Sequence, residues 1–300
     1  MSAPDSIQTT ESPLVTSTVA RLATFVPDEN LEVVGDFARI YLRRAQDGPL
    51  TKLTPDELAA HVAGLFRFAS DRGLNPVAVR AFNPTPESDG YPSRGAVIEV
   101  SMEDRPFLID SVTGEIQSHG PAVEYVVHPV LGTRRNPEGA LVAVGPARDA
   151  DRTESIQHYQ LDRLLEPAQL DALHDAVIRT LGDVRKAVDD FALLKGRIPR
   201  MMALARRART AYPEDDIVNA TRFLEWLLDL NFVFLGYREY EMVDVGGRPS
   251  LRVVPDSGLG ILRDNGTSAY SEPVPLTDLD PELRARFESG ELLVITKANS

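Results

Sequence analysis

Four lysines, five histidines and no cysteine are the whole supply of side chains for amine, imidazole or thiolate chemistry in this sequence. The missing cysteine excludes disulfides, thiolate metal sites, iron–sulfur clusters and thiol nucleophiles together. Lys52 precedes a helix cap, Lys186 and Lys195 lie on amphipathic helical sequence, and Lys297 is near the end of the chain. None sits in a glycine-rich turn of the kind that cradles phosphate, so each reads as solvated. His128 and His158 fall on predicted strands, where they can be neighbours, while His61, His119 and His174 fall on predicted helices. A histidine pair with no carboxylate at ligand spacing favours hydrogen-bonded or surface roles over a metal. Asp189 and Asp190, and the run Glu214, Asp215 and Asp216, are consecutive on predicted helices and point in different directions, so they read as solvated or dipole-compensating charge. The stretch "DSGLGILR", 256–263, lacks the spacing and following helix of a nucleotide fingerprint and reads as a turn beside a strand. No serine-hydrolase, zinc-protease or kinase motif occurs. The expected catalytic, cofactor-binding and metal-binding residues are therefore none.

One corner stands apart. "SMEDRPFLIDSVTGEIQSHG", 101–120, reads as a strand end, a tight turn and an amphipathic helix. Asp104 is expected to cap the helix and Pro106 to fall in its first turn, with Phe107, Leu108, Val112 and Ile116 on the buried side. A helix start beside a strand end also favours a carboxylate ligand. Asp104, Arg105, Pro106 and Phe107 are accordingly the candidate effector-binding or interface turn.

The elements that hold this corner follow from periodicity. Residues 1–18 form a Ser/Thr-rich leader, expected to be mobile. An N-terminal helical lobe, 19–74, follows: one helix spans 28–45 with Leu31, Val34, Ala38, Tyr41 and Leu42 on one face, and a second opens at the capping box of Thr54 and Glu57 and ends at Gly73. Strands are expected at 77–82 and 96–102, where Ile98, Val100 and Met102 alternate with Glu99 and Ser101, so that one face looks inward and the other is more polar. More strands start at Val123, Ala140 and Ser155, and Pro167 opens a long helix whose stripe runs Leu170, Leu173, Val177, Leu181, Val184, Val188 and Phe191. The order ββαβββα over 75–196 predicts an α+β sandwich, ferredoxin-like with extra strands and helices on one face of a mainly antiparallel sheet. After "RIPR", 197–300 reads as helices at 200–210 and 213–230, then strands from Phe232, Leu251, Gly260 and Glu291 that form a second, incomplete sheet.

Three hundred residues predict about two domains. With 32 basic against 45 acidic side chains, nucleic acid is not an expected partner. No run of about eighteen apolar residues exists, and the start lacks the basic and apolar regions of a signal peptide. A cytoplasmic protein without membrane partners is expected.

The "EDRPFL" corner resembles the D-R-P-G-L-L turn of ACT domains, small ferredoxin-like modules that bind amino acids where the first strand meets the first helix. Phe107 stands where ligand-binding members usually have glycine, which is expected to obstruct close approach to the backbone. Together with "ESIQHYQLDRL", "FLEWLLDLNFVFLGYREYEM" and "SGLGILR", the segment resembles the amino-terminal region of the large bacterial NAD-specific glutamate dehydrogenases. That resemblance implies a long homo-oligomeric polypeptide in which ACT-like segments precede a distant dehydrogenase core. The core would use NAD to convert L-glutamate to 2-oxoglutarate and ammonium. It implies no cofactor in this segment, and as partners the downstream core, other subunits and an amino-acid effector. A free-standing ACT-like amino-acid sensor is the alternative.

Overall fold

The computed structural model describes residues 11–45, 48–264, 266, 268–288 and 292. It is an α+β structure that divides into two compact units, Met1–Gly182 and Asp183–Ser300. The division falls inside the long helix that begins at Pro167, not after "RIPR".

The first unit begins with helices α1 (Pro13–Val19), α2 (Leu31–Arg44) and α3 (Pro55–Asp71). The leader expected to reach Thr18 is thus helical from Pro13, because Ser12 caps α1 and Val15 and Thr18 have apolar surface to pack on. The Thr54–Glu57 capping box is formed, and α3 stops before Gly73, whose φ of 60° is the left-handed value that glycine tolerates. Strands β1 (Val77–Phe82) and β2 (Val97–Glu103) flank the short helix α4 (Pro86–Asp89). Then come α5 (Leu108–Ser118), β3 (Val123–Val127), β4 (Val130–Arg135), β5 (Leu141–Pro146), β6 (Thr153–Leu161) and α6 (Pro167–Asp189). All pairings are antiparallel, in the order β1-β2-β6-β4-β5, with β3 also on β6. Strand β6 therefore lies between β2 and β3, which α5 connects: a split β-α-β unit.

The sheet is buried on both faces. Ile98, Val100 and Met102 lie on one, and Leu108, Val112, Val177 and Leu181 of α5 and α6 are buried too. The opposite face is covered by α1–α3, which share one apolar cluster with Val127, Leu131, Leu141, Val144 and Ile156 of the sheet. So the N-terminal helices are not a separate lobe, and helices are not confined to one face. Glu99 and Ser101, expected on an outward polar face, are 0% exposed. Their alternation marks a polar interior instead of a solvent side.

The second unit contains α7 (Phe191–Arg207) and α8 (Glu214–Trp226), followed by a π-helical turn at Leu227–Asn231. Phe191, expected at the end of the preceding stripe, opens α7. Strands β7 (Gly236–Tyr237) and β10 (Leu259–Gly260) form one small sheet, while β8 (Tyr240–Val245), β9 (Arg248–Val253) and β11 (Val274–Pro275) form another. The strand expected from Phe232 starts only at Gly236, and "GILR" contributes only Gly260 to β10. Helix α9 (Pro281–Glu288) follows. The strand expected from Glu291, and Lys297 with it, lie outside the described residues. No described helix is long and apolar enough to cross a membrane.

Candidate functional site

The turn between β2 and α5 is built differently from its sequence expectation. The Asp104 N–H donates to the Thr153 carbonyl at 3.0 Å and so ties the turn to β6. The residue that precedes α5 is Phe107, at φ 70° and ψ 6°, with no side-chain cap bond. Asp104 is not the cap. Phe107 is 50% exposed, so it does not join Leu108, Val112 and Ile116 on the buried side. Both differences share a cause: the chain swings from strand to helix through one left-handed residue, and that conformation turns the ring out to solvent. The same backbone need explains why a glycine suits this position in ligand-binding ACT domains. Arg105 Nη2 donates to Glu103 Oε2 at 3.0 Å, and Pro106 is exposed.

A second constellation was not expected from the sequence. His61 of α3, Glu99 of β2 and His158 of β6 are 1%, 0% and 0% exposed, and each offers one ligand-type atom within 4.8 Å of the others. Register explains the placement: Glu99 and His158 are antiparallel partners, and Arg80 of β1 pairs with Glu99 from the other side. Arg80 Nε donates to Glu99 Oε2 at 3.0 Å, and the guanidinium stands over the rings of Phe68 and Phe82, 5.2 and 4.4 Å from their centroids. His158 Nδ1 is 3.4 Å from Glu99 Oε1. The Tyr41 hydroxyl is 2.9 Å from His61 Nε2, and the His61 ring meets those of His158 and Tyr91 edge-on at 4.7 and 4.9 Å. Burial, then His158 and Arg80, push the His61 imidazolium well below the ordinary histidine range, so the ring is neutral at pH 7. Burial, with Glu99 next, pushes the Tyr41 and Tyr91 phenols up.

His128 and His158, which can be neighbours on the predicted strands, have separate partners: His128 Nε2 contacts Ser155 Oγ at 2.7 Å, and His158 meets His61. One signal was available. His61 stands between Leu58 and Leu65 on the apolar stripe of α3, where a histidine must find a buried partner.

On the same sheet face, Glu154 accepts from Arg135 Nη2 at 2.7 Å and pairs with Arg72 Nη2 at 2.8 Å. Burial raises the Glu154 carboxyl, but Arg135 and Arg72 outweigh it and hold the group below the ordinary range. Glu154 and Arg135 also line an open cavity of about 650 Å³ with Arg134, Arg152, Asp149 and Asp151 among others. In the second unit Asp190, expected to be solvated, is 7% exposed; its Oδ2 accepts from the Gly260 N–H at 2.7 Å and from Arg263 Nε at 3.0 Å. The exposed Glu214, Asp215 and Asp216 occupy the first turn of α8, as dipole compensation requires.

These features define an α+β protein in which residues 37–177 match the family described as glutamate dehydrogenase, ACT1 domain. The matched span covers α3, the whole six-stranded sheet, the 104–107 turn and the buried histidine cluster. The chain belongs to the NAD-specific glutamate dehydrogenase family. It is 30% identical over 76% of its length to the NAD-specific glutamate dehydrogenase of Pseudomonas aeruginosa, and 31% identical over 81% to that of Halomonas elongata. The Mycobacterium tuberculosis NAD-specific glutamate dehydrogenase is 26% identical over 72% of the chain. The aligned part spans only 14%, 15% and 13% of those three relatives.

Proposed function

We propose that this chain is a non-catalytic regulatory or assembly segment of an NAD-specific glutamate dehydrogenase. The whole polypeptide would oxidise L-glutamate to 2-oxoglutarate and ammonium, with NAD held by a dehydrogenase core outside these residues. It would act as a cytoplasmic homo-oligomer. The observation that carries the regulatory reading is the Asp104–Phe107 turn: a rigid strand-to-helix corner tied to β6, presenting a half-exposed aromatic ring. A side chain at Phe107, where a glycine would leave the backbone open, would obstruct an approaching amino-acid carboxylate, and an exposed aromatic with few rotamers suits a contact with another subunit or a downstream segment better than free solvent. The 197–300 region, with its two small sheets, would continue as a second ACT-like module.

Two measurements test this. The purified chain is expected to form no NADH from glutamate and NAD above a blank; turnover would refute the non-catalytic reading. In the whole polypeptide, Phe107→Ser is expected to weaken assembly in sedimentation velocity while leaving the KM for glutamate unchanged. Saturable amino-acid binding to the chain by calorimetry, lost on changing Arg105 without loss of fold, would instead make the turn an effector site.

A further inference from the structure

We propose that His61, His158 and Glu99 bind a divalent transition-metal ion of the zinc type in the interior of the first unit. Two imidazoles and a carboxylate are a standard donor set for such ions, and three protein ligands leave a further position open. The three residues come from α3, β2 and β6, so the ion would clasp the N-terminal helices to the centre of the sheet.

Independent features of the cluster point to a ligand. Nδ1 of His61, Nε2 of His158 and the Tyr91 hydroxyl are fully buried and have no hydrogen-bond partner among the described residues. Polar atoms left this way are costly, and a metal accepting their lone pairs removes the cost. The outer contacts are those that orient ligands. In the His61 tautomer whose Nε2–H donates to the Tyr41 oxygen 2.9 Å away, the lone pair sits on Nδ1. Arg80 holds Oε2 of Glu99, which leaves Oε1 on the histidine side. The ligand atoms lie within 4.8 Å of one another, wider than the roughly 3.3 Å edge of a tetrahedron with bonds of about 2.0–2.1 Å, so binding draws the side chains inward by about 1 Å. Tyr91, whose ring meets that of His61, also lines a surface depression of about 400 Å³ with Pro49, Lys52, Arg94 and Gln160. The Tyr91 hydroxyl, buried and without a partner among the described residues beside the His61 ring, could hold a water at the open position.

The test uses purified protein stripped with a chelator and titrated with Co²⁺, whose visible absorption reports its ligand set, and then with Zn²⁺ in competition. A saturable Co²⁺ spectrum displaced by Zn²⁺, and a zinc-dependent rise in Tm, are expected. Glu99→Gln combined with His158→Asn should abolish both. Tyr41→Phe keeps the ring and removes only the hydroxyl that orients His61, so it should weaken metal binding by about 10–100-fold in a protein with unchanged circular dichroism. Failure of the native protein to bind Co²⁺, or binding that survives the double substitution undiminished, overturns the proposal. If the double variant does not fold, unchanged affinity in folded Tyr41→Phe overturns it alone.

Discussion

Phe107 offers a test in which the ordinary sign of a substitution is reversed. Replacing alanine by glycine normally destabilises, because glycine leaves the unfolded chain about 0.4–1 kcal/mol more conformational freedom to lose. At residue 107 the native φ is 70°, where a Cβ costs roughly 1–2 kcal/mol. Phe107→Ala and Phe107→Gly both remove the ring, so their difference isolates the backbone. Subtracting the two contributions leaves the glycine variant more stable than the alanine variant by about 0.5–1 kcal/mol. Against wild type, each should lose less than the about 3–5 kcal/mol of a buried phenylalanine truncation, because the ring is 50% exposed. Urea unfolding of the three proteins, followed by circular dichroism and compared at equal m, gives the differences directly. A glycine variant less stable than the alanine variant by the usual helix increment would refute the left-handed assignment.

Four further outcomes rest on other contacts of the first unit. Asp104→Ala is expected to change stability by no more than about 0.5 kcal/mol in thermal unfolding, since its carboxylate does not cap α5. Glu154→Gln should destabilise by about 3–5 kcal/mol, because it strands Arg72 and Arg135 where their side chains are 8% and 12% exposed. The folded Glu154 carboxyl titrates below its unfolded value, so its contribution is fully present above the ordinary glutamate range and is lost as pH falls through the lower folded value. An acid unfolding midpoint at higher pH in an Arg72→Met variant than in wild type checks the sign. Gly95→Ala should lower Tm sharply, as its Cβ would sit 1.8 Å from the Leu161 carbonyl oxygen, and backbone there cannot yield without breaking the β2–β6 ladder.

What could be read from the sequence was local or periodic. The Thr54–Glu57 box, the α2 face from Val34 to Leu42 and the strand at Val77–Phe82 each depend on residues within a few positions of one another. The errors came from interactions across the chain. Alternation in 96–102 distinguishes the two faces of β2 but cannot say that α3 lies over the polar one, since the partners of Glu99 and Ser101 are 19 to 59 residues away. Aspartate before a helix is a common cap, yet the φ of Phe107 moves the helix start past Asp104. Periodicity assigns each histidine to its own element, and no pattern in the sequence states that His61 of α3 meets His158 of β6. The burial of Asp190 is likewise set from afar, by Gly260 and Arg263, which lie 70 and 73 residues downstream.

The position of β6 has a consequence for synthesis. It is the last strand of its sheet to leave the ribosome, yet it bonds to β2, β3 and β4, and it alone joins the β1–β2 pair to the β4–β5 pair. A nascent chain that has emerged only to Pro146 therefore holds two separate hairpins, and the face to be covered by α1–α3 stays open. Compaction of the domain is expected as one late event once Leu161 is clear of the exit tunnel, and stepwise protease protection of stalled chains would display it. The apolar face of β2 stays exposed until Val177 and Leu181 of α6 follow, and chaperone capture or misassembly with a neighbouring nascent chain is expected in that interval.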